Sequence, residues 1–317
     1  GDDRPLHPVR RAGLGGWTAP HAVDRFLHLV DVVVDALGDL VTDWVTINEP
    51  NVYAVQAHLF REGPPATRDW GAVRATLRHM AIAHCRAYHR IHALQPEARV
   101  GFAHHARVFA PLDPRNPFHR GVAALDRALF QDLLADALLG GRFTRLLGRQ
   151  PADVTPGRHY DYLGINYYAR SAVKGLADGT FPGAPVNDLG WEVHPQGLVE
   201  VARELHARYP APIWVTENGT ADAADAFRSR YVFEHLQAMA ASDLPFERYY
   251  HWCFVDNWEW REGEGPRFGL VALDYETQER TVRDSGRFLA AVIRDGGVTR
   301  TTYEEFVAGQ SYPSGPR

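Results

Sequence analysis

The sequence predicts an α/β protein built on a parallel sheet, and two observations carry that prediction. Short apolar runs suited to strands alternate with longer stretches whose apolar residues recur at helical spacing. This alternation, with a crossover between successive strands, is the pattern of a parallel sheet. Two of the runs also end alike, each delivering a glutamate to the strand tip just before a turn. They are Trp44-Val45-Thr46-Ile47-Asn48-Glu49-Pro50 and Pro212-Ile213-Trp214-Val215-Thr216-Glu217-Asn218-Gly219.

In chain order, residues 1–16 are charged and rich in Gly and Pro, and read as an N-terminal loop. A helix is expected from about Thr18, with Phe26, Val30, Val33 and Leu37 on one stripe and Gly38 closing it. The strand ending at Glu49 follows. Pro50 cannot donate to a ladder and marks its exit. A loop is expected over Asn51 to Asp69. A helix from about Trp70 to Leu94 follows, with Val73, Leu77, Met80, His84, Tyr88 and Ile91 as its stripe. Arg99 to His105 reads as a strand, then a Pro-rich loop, then a helix over about Arg120 to Leu139. Tyr160 to Asn166 is the next strand, and Ala169 to Pro195 reads as loop. A helix over Gln196 to Arg208 precedes the Glu217 strand. A helix over Ala223 to Ala240 leads to a strand over Tyr249 to Phe254, and the last helix covers Asp284 to Ile293. Residues 296–317 read as a polar C-terminal tail.

Composition excludes several function classes. The 317 residues accommodate one large α/β domain or two small ones, and a net charge of −5 favours neither nucleic acid nor an anionic membrane. Lys174 is the only lysine, and the arginines are scattered. Cys85 and Cys253 fall in apolar patterns and read as buried free thiols, which suits a reducing, cytoplasmic location. No signal peptide or membrane span is read. His79, His84, His89 and His92 share a helix but not one face, so no metal is expected there, and no motif suggests a cofactor.

A carboxylate at the tip of a buried strand is costly unless something there uses it. In β/α barrels that tip is the catalytic face, although Asn-Glu-Pro also suits a plain turn. Two carboxylates flanking a small gap are what glycoside hydrolysis requires.

The segments Thr46-Ile47-Asn48-Glu49-Pro50 and Val215-Thr216-Glu217-Asn218-Gly219 resemble the two signature motifs of glycoside hydrolase family 1, the β-glucosidase family. Asp161-Tyr162-Leu163-Gly164-Ile165-Asn166-Tyr167-Tyr168, Gly190-Trp191-Glu192-Val193, Trp252 to Trp260 and Arg267-Phe268-Gly269-Leu270 resemble further segments of that family, in its order. The resemblance implies a TIM (β/α)8-type barrel in which Glu49 closes strand four and Glu217 strand seven. On that mapping the chain is a single partial barrel domain over residues 1–317, with strands four to eight and their helices, lacking the family's first three strands.

The resemblance also implies roles. Glu217 would be the nucleophile and Glu49 the general acid, then base, with their carboxyls about 5 Å apart as retention requires. Asn48 would contact the sugar 2-hydroxyl. Asn166 and Tyr168 lie two apart on a strand and share a side; the resemblance implies that Tyr168 is the donor to the nucleophile and Asn166 a pocket residue. Tyr167 in the site and Tyr168 outside it is the alternative. Trp252, Glu259, Trp260 and Phe268 would form the glycone pocket, with Glu259 disfavouring a phosphorylated sugar. Trp191 would flank the aglycone. The Trp252–Cys253 peptide is expected to be cis. Asn51 departs from the aromatic residue usual after Asn-Glu-Pro. One of His104 and His105, which point opposite ways, could reach a sugar.

The family also uses a Gln, an Arg and a His-Trp pair from its first three strands. None is found here, and Asp3-Arg4-Pro5 stands before Leu6-His7-Pro8 where the His-Trp pair is expected. Two readings follow. One is a retaining β-glycosidase hydrolysing or transferring non-phosphorylated small-molecule β-glycosides. The other is a weak or inactive relative that binds a glycoside or serves in an assembly. Five strands leave open edges beside Trp44 and Tyr250, so a homo-oligomer or a partner covering those edges is expected.

Overall fold

The computed structural model describes residues 15–315. The expected N-terminal loop lies outside them except for Gly15 and Gly16, as do Asp3-Arg4-Pro5 and Leu6-His7-Pro8.

Helix α1 spans Ala22–Leu37 after a short 3-10 turn at Gly16–Thr18. Its buried stripe is Val23, Val30 and Val34, rotated from the expected one, so that Leu37 is exposed. Strand β1 is Asp43–Asn48. The expected loop after it is instead helix α2, Pro50–Val55, with a π-helical turn over Gln56–Phe60. Pro50 ends the strand by starting a helix, because at the first helical position its missing N–H would be unpaired anyway and its fixed φ suits a helix.

Helix α3 is Trp70–Leu94, capped by Asp69, whose Oδ1 accepts from the Gly71 and Ala72 amides at 2.7 and 3.1 Å. Strand β2 is Arg99–His105, and β3, Val108–Pro111, lies in the expected loop. The helix read as one piece is two, α4 (Pro117–Arg127) and α5 (Leu133–Leu138), joined by a π-helical turn. Strand β4 is Leu163–Asn166. The loop expected after it contains β5 (Arg170–Lys174) and β6 (Ala177–Gly179), which form a small sheet with β3. Helix α6 is Gln196–Arg208 and β7 is Ile213–Asn218. Helix α7, Arg228–Ala240, starts later than expected because the Asp222 carboxylate collects the amides of Ala226, Phe227 and Arg228 and holds a loop before it. Strand β8, Phe246–His251, stops short of Phe254. Strands β9 (Val271–Leu273) and β10 (Arg280–Val282) form an antiparallel pair before helix α8, Asp284–Asp295.

The C-terminal segment is not a loose tail. It forms helix α9, Arg300–Phe306, capped by the Thr299 hydroxyl, which accepts from the Thr302 amide. Val307 is buried beside Tyr231, Val232 and Phe288.

The five strands read from the sequence, β1, β2, β4, β7 and β8, make up the principal sheet among the described residues. The chain divides into two compact units, Gly1–His105 with Ala128–Gly164 and Ala106–Arg127 with Ile165–Arg317; β4 straddles the division. In the first unit β1 pairs in parallel with β2, Trp44 opposite Val100 and Asn48 opposite Ala103. Its core joins Val23, Ile47, Met80, Ala83, Cys85 and Val154. In the second unit β7 pairs in parallel with β8, Trp214 opposite Arg248 and Asn218 opposite His251. Its clusters gather Tyr231, Phe288 and Val307 on one side and Ala221, Cys253 and Phe268 on another. Cys85 and Cys253 are both free and buried. No helix among the described residues is long and apolar enough to cross a membrane.

Candidate active site

In the second unit the apolar residues Ile213, Trp214 and Val215 bury β7 and carry Glu217 to its C-terminal tip. Tyr168, just beyond β4, donates its hydroxyl to Glu217 Oε2 at 2.6 Å. A charge-assisted bond of this kind fixes the carboxylate and favours its anion. Tyr167 points elsewhere: fully buried, it donates to the His194 carbonyl at 2.7 Å. Asn166 is buried one strand over, its Oδ1 accepting from Thr216 Oγ1 at 2.6 Å.

Behind the tip, Asn218 is locked on three sides. Its amide donates to the Tyr167 carbonyl (2.7 Å) and the Tyr231 hydroxyl (2.9 Å), and its Oδ1 accepts from Tyr249 (2.9 Å). Burial raises the Tyr167, Tyr231 and Tyr249 hydroxyls well above their usual range, so all three remain donors. Gly219 is required by close approach. A β-carbon there would land on the Trp252 carbonyl oxygen.

The Trp252–Cys253 peptide is cis, as the resemblance implied. The Trp252 indole donates to Glu259 Oε1 at 3.0 Å. Its aromatic neighbourhood includes Tyr168 and Phe268, which meet edge-on at 6.3 Å between centroids. Trp191 lies 5.9 Å from Tyr168 and 6.0 Å from Phe268. Asp256 anchors the strand exit that carries these rings. It accepts from the Gly269 and Leu273 amides and from Arg283 at 2.9 Å through both oxygens. Burial works to raise its pKa, but the Arg283 and backbone bonds outweigh it and hold the carboxyl below its ordinary value. Burial first, then the charges of Glu259 and Asp256, pushes the Cys253 thiol up to about 12, which leaves it inert. Trp260 stands apart from the other rings, 78% exposed on a short 3-10 turn with φ 47°.

In the first unit the Glu49 amide extends the ladder to the Ala103 carbonyl at 2.9 Å, and the chain then turns through a left-handed backbone, φ 43° and ψ 57°, into α2. Asn48, one residue earlier, is exposed. Glu49 Oε1 lies 3.0 Å from His105 Nδ1 at the end of β2. Asn51 Nδ2 donates to the His105 carbonyl at 2.9 Å and the Phe130 carbonyl at 3.1 Å. Beneath the tip, His84 faces Thr46 Oγ1 at 2.7 Å and the His159 carbonyl at 2.8 Å. Burial lowers its pKa to about 3.

The second unit thus brings Tyr168, Trp191, Glu217, Trp252, Glu259 and Phe268 into one neighbourhood, with Asn166 beside it, while the first unit carries Asn48 and Glu49. Two roles escaped the sequence reading: the Asn218 lock, which the alternation next to Glu217 could have suggested, and the His105 and Asn51 contacts around Glu49. Among the described residues no group of His, Cys, Asp and Glu could hold a metal ion.

The profile of glycosyl hydrolase family 1 matches residues 7–298. The chloroplastic galactolipid galactosyltransferase of Arabidopsis thaliana is 33% identical, over 92% of this chain and 47% of its own length. Beta-glucosidase A of Thermotoga maritima is 28% identical, over 90% of this chain and 70% of its own. Among solved structures, a Thermotoga maritima beta-glucosidase in complex with glucoimidazole superposes with a TM-score of 0.83 at 25% identity, covering 92% of this chain and 72% of that one. The beta-glycosidase of Pyrococcus horikoshii gives 0.84 at 26% identity, covering 95% and 72%. The chain therefore spans about half the length of one curated relative and about 70% of others. With its parallel α/β sheet, its (β/α)-barrel structural neighbours and a profile match over most of its length, the chain belongs to glycosyl hydrolase family 1.

Proposed function

We propose that this chain carries the machinery of a retaining β-glycosidase acting on non-phosphorylated β-glycosides. The observation that carries the reading is the Tyr168 hydroxyl on Glu217 at 2.6 Å, which prepares an oriented anion beside the Trp252, Phe268 and Trp191 rings. In the first step Glu217 attacks the anomeric carbon while Glu49 gives its proton to the departing oxygen. In the second, Glu49 takes a proton from water, the resulting hydroxyl attacks the same carbon, and Glu217 is released as carboxylate. Asn48 would bind the 2-hydroxyl, and Asn166 would line the pocket. Trp252 would offer aromatic surface to the C–H face of the sugar, Phe268, 1% exposed, would back that ring from behind, and the exposed Trp260 would close over the sugar from its turn. Glu259, held by Trp252, would accept hydroxyls and repel a phosphate. Trp191, 41% exposed, would flank the aglycone.

A second reading is transfer rather than hydrolysis, favoured by the 33% identical galactosyltransferase. The covalent intermediate is the same, and an acceptor hydroxyl replaces water in the second step. Incubation with an activated 2-deoxy-2-fluoro-β-glycoside tests both. The expected result is a stoichiometric mass increase mapped to the Glu217 peptide, released faster by an added glycoside acceptor if transfer dominates. No label and no turnover of aryl β-glycosides would favour the inactive, glycoside-binding alternative. Leu29, Val32, Leu40 and Val45 are exposed apolar residues around α1 and β1 in the first unit, which supports an assembly through that edge. Light scattering tests it: a dimer or larger species is expected, and a strict monomer would overturn the assembly.

A further inference from the structure

We propose that His105 is a positioning residue for Glu49, and that Asn51 holds His105 in place. The proposal rests on the acid/base role given to Glu49. Three observations in the first unit carry it. His105 is 8% exposed at the end of β2, with Nδ1 3.0 Å from Glu49 Oε1. Its ring meets Phe130 edge-on at 5.8 Å, which limits its rotation. Asn51, two residues beyond Glu49 and 2% exposed, bonds the His105 carbonyl and the Phe130 carbonyl with one amide group. The residue after Asn-Glu-Pro therefore ties the start of α2 to the histidine that touches the glutamate. The unusual Asn51 and the histidine form one device.

The chemistry follows from donor and acceptor counts. With the acid proton of Glu49 on Oε2, Oε1 can only accept, which assigns the proton of this contact to Nδ1. Such a ring can donate to Oε1 in both states of Glu49. When Glu49 is a carboxylic acid, Oε1 is its carbonyl oxygen, and the proton is kept on Oε2 for the departing oxygen. As that proton leaves, negative charge develops on the carboxylate and the Nδ1–H bond becomes charge-assisted and stronger. The contact thus strengthens toward the transition state of the first step, which is when stabilisation raises the rate of that step. In the second step Oε2 accepts the proton from water and the original state returns. His105 keeps its own proton throughout.

The test compares leaving groups. An alkyl β-glycoside needs protonation of its departing oxygen, whereas a dinitrophenyl β-glycoside does not. For His105→Leu, kcat/KM on the alkyl glycoside should fall on the order of 10²-fold, as expected for a misplaced acid, and on the dinitrophenyl glycoside only about 3-fold. His105→Asn, whose Nδ2 occupies nearly the Nδ1 position, should restore most of the loss. Asn51→Ala should show the same substrate pattern with a smaller amplitude. Equal losses on both substrates, or His105→Asn no better than His105→Leu, would assign His105 a packing role and overturn the proposal. Glu49→Gln run beside them separates the two claims. Leaving-group dependence for Glu49→Gln but not for His105→Leu overturns the positioning role alone, and dependence for neither overturns the acid/base role as well. Histidine 15N spectra give a readout that needs no turnover: His105 should be protonated on Nδ1, and a proton found on Nε2 alone overturns the proposal.

Discussion

The tips of β7 and β1 each present a glutamate and are built in opposite ways. Glu217 lies within β7, beside Asn218, whose side chain is bonded to Tyr167, Tyr231 and Tyr249, and its carboxylate already has a tyrosine donor. Glu49 sits on the turn itself, in a left-handed backbone, with a histidine as its neighbour. The difference suits the two tasks proposed for them. A nucleophile must stay ionised and aimed at one carbon, so rigidity and donors serve it. An acid that becomes a base must hold and release a proton, so a contact that suits both states serves it better.

The largest expected effect separates the two carboxylates. If Glu217 is the nucleophile proposed above, Glu217→Gln replaces the attacking carboxylate with a neutral amide and should lower turnover of aryl β-glucosides by about 10⁴-fold or more, with no small-molecule rescue. Glu49→Ala should lose most activity on poor leaving groups, and added azide should recover part of it as β-glycosyl azide, because the anion needs no base. Steady-state rates with and without azide measure this. Equal losses with no rescue in either variant would make the two tips functionally alike and break the comparison.

Next is the turn after each glutamate. Gly219→Ala drives a β-carbon into the Trp252 carbonyl, and backbone cannot yield as a side chain can. A loss on the order of 3 kcal/mol is expected, read as a lower urea midpoint. Pro50→Ala at the β1 turn meets no such obstacle. Its cost should stay below about 1 kcal/mol, since it gives up only a pre-set φ at a first helical position.

The buried histidines offer a comparison by pH. His84 beneath β1, and His235 and His251 in the second unit, are each pushed by burial from the ordinary 6.5 to about 3. Folded, they stay neutral where the unfolded chain takes up protons. Stability is therefore undiminished above about pH 6.5 and falls as pH drops toward about 3. At pH 4.5, two units below the ordinary value, each should cost about 3 kcal/mol. His235 suits the test, because its Nε2 has no hydrogen-bond partner. His235→Phe should shrink the fall in urea midpoint between pH 7 and pH 4.5, and an unchanged fall would mean that its ring is hydrated.

How much of this was legible follows from where each partner lies along the chain. Both glutamate tips could be read because strand, carboxylate and turn are consecutive residues. The placing of Tyr168 rather than Tyr167 at Glu217 matches the shared side with Asn166, a two-residue period. Strands β5 and β6 could not be read, because β5 gains its ladder from β3, some sixty residues earlier: Ser171 pairs with Phe109. Helix α9 was hidden by polar composition, since Val307 buries itself against residues of α7 and α8. The Glu49 and His105 contact depends on the β1–β2 register, in which Asn48 faces Ala103, and no local pattern encodes that pairing.

The smallest expected effect bears most directly on why Glu49 stands where it does. At φ 43° a non-glycine residue costs on the order of 1 kcal/mol relative to glycine. Glu49→Gly relieves that strain. It also gives up the His105 bond and loosens the unfolded chain, each worth about 1 kcal/mol in the other direction. The net change in unfolding free energy should fall within about 1 kcal/mol of zero, while activity drops as it does for Glu49→Ala. Chemical denaturation beside an aryl glycoside assay measures both. Stability kept and activity lost would mean that the side chain is there for chemistry, at a turn the fold would build as readily with glycine. A loss beyond about 3 kcal/mol would instead make the Glu49 and His105 pair a structural tie between β1 and β2, comparable to the Asn218 lock behind β7, and the contrast between the two tips would disappear.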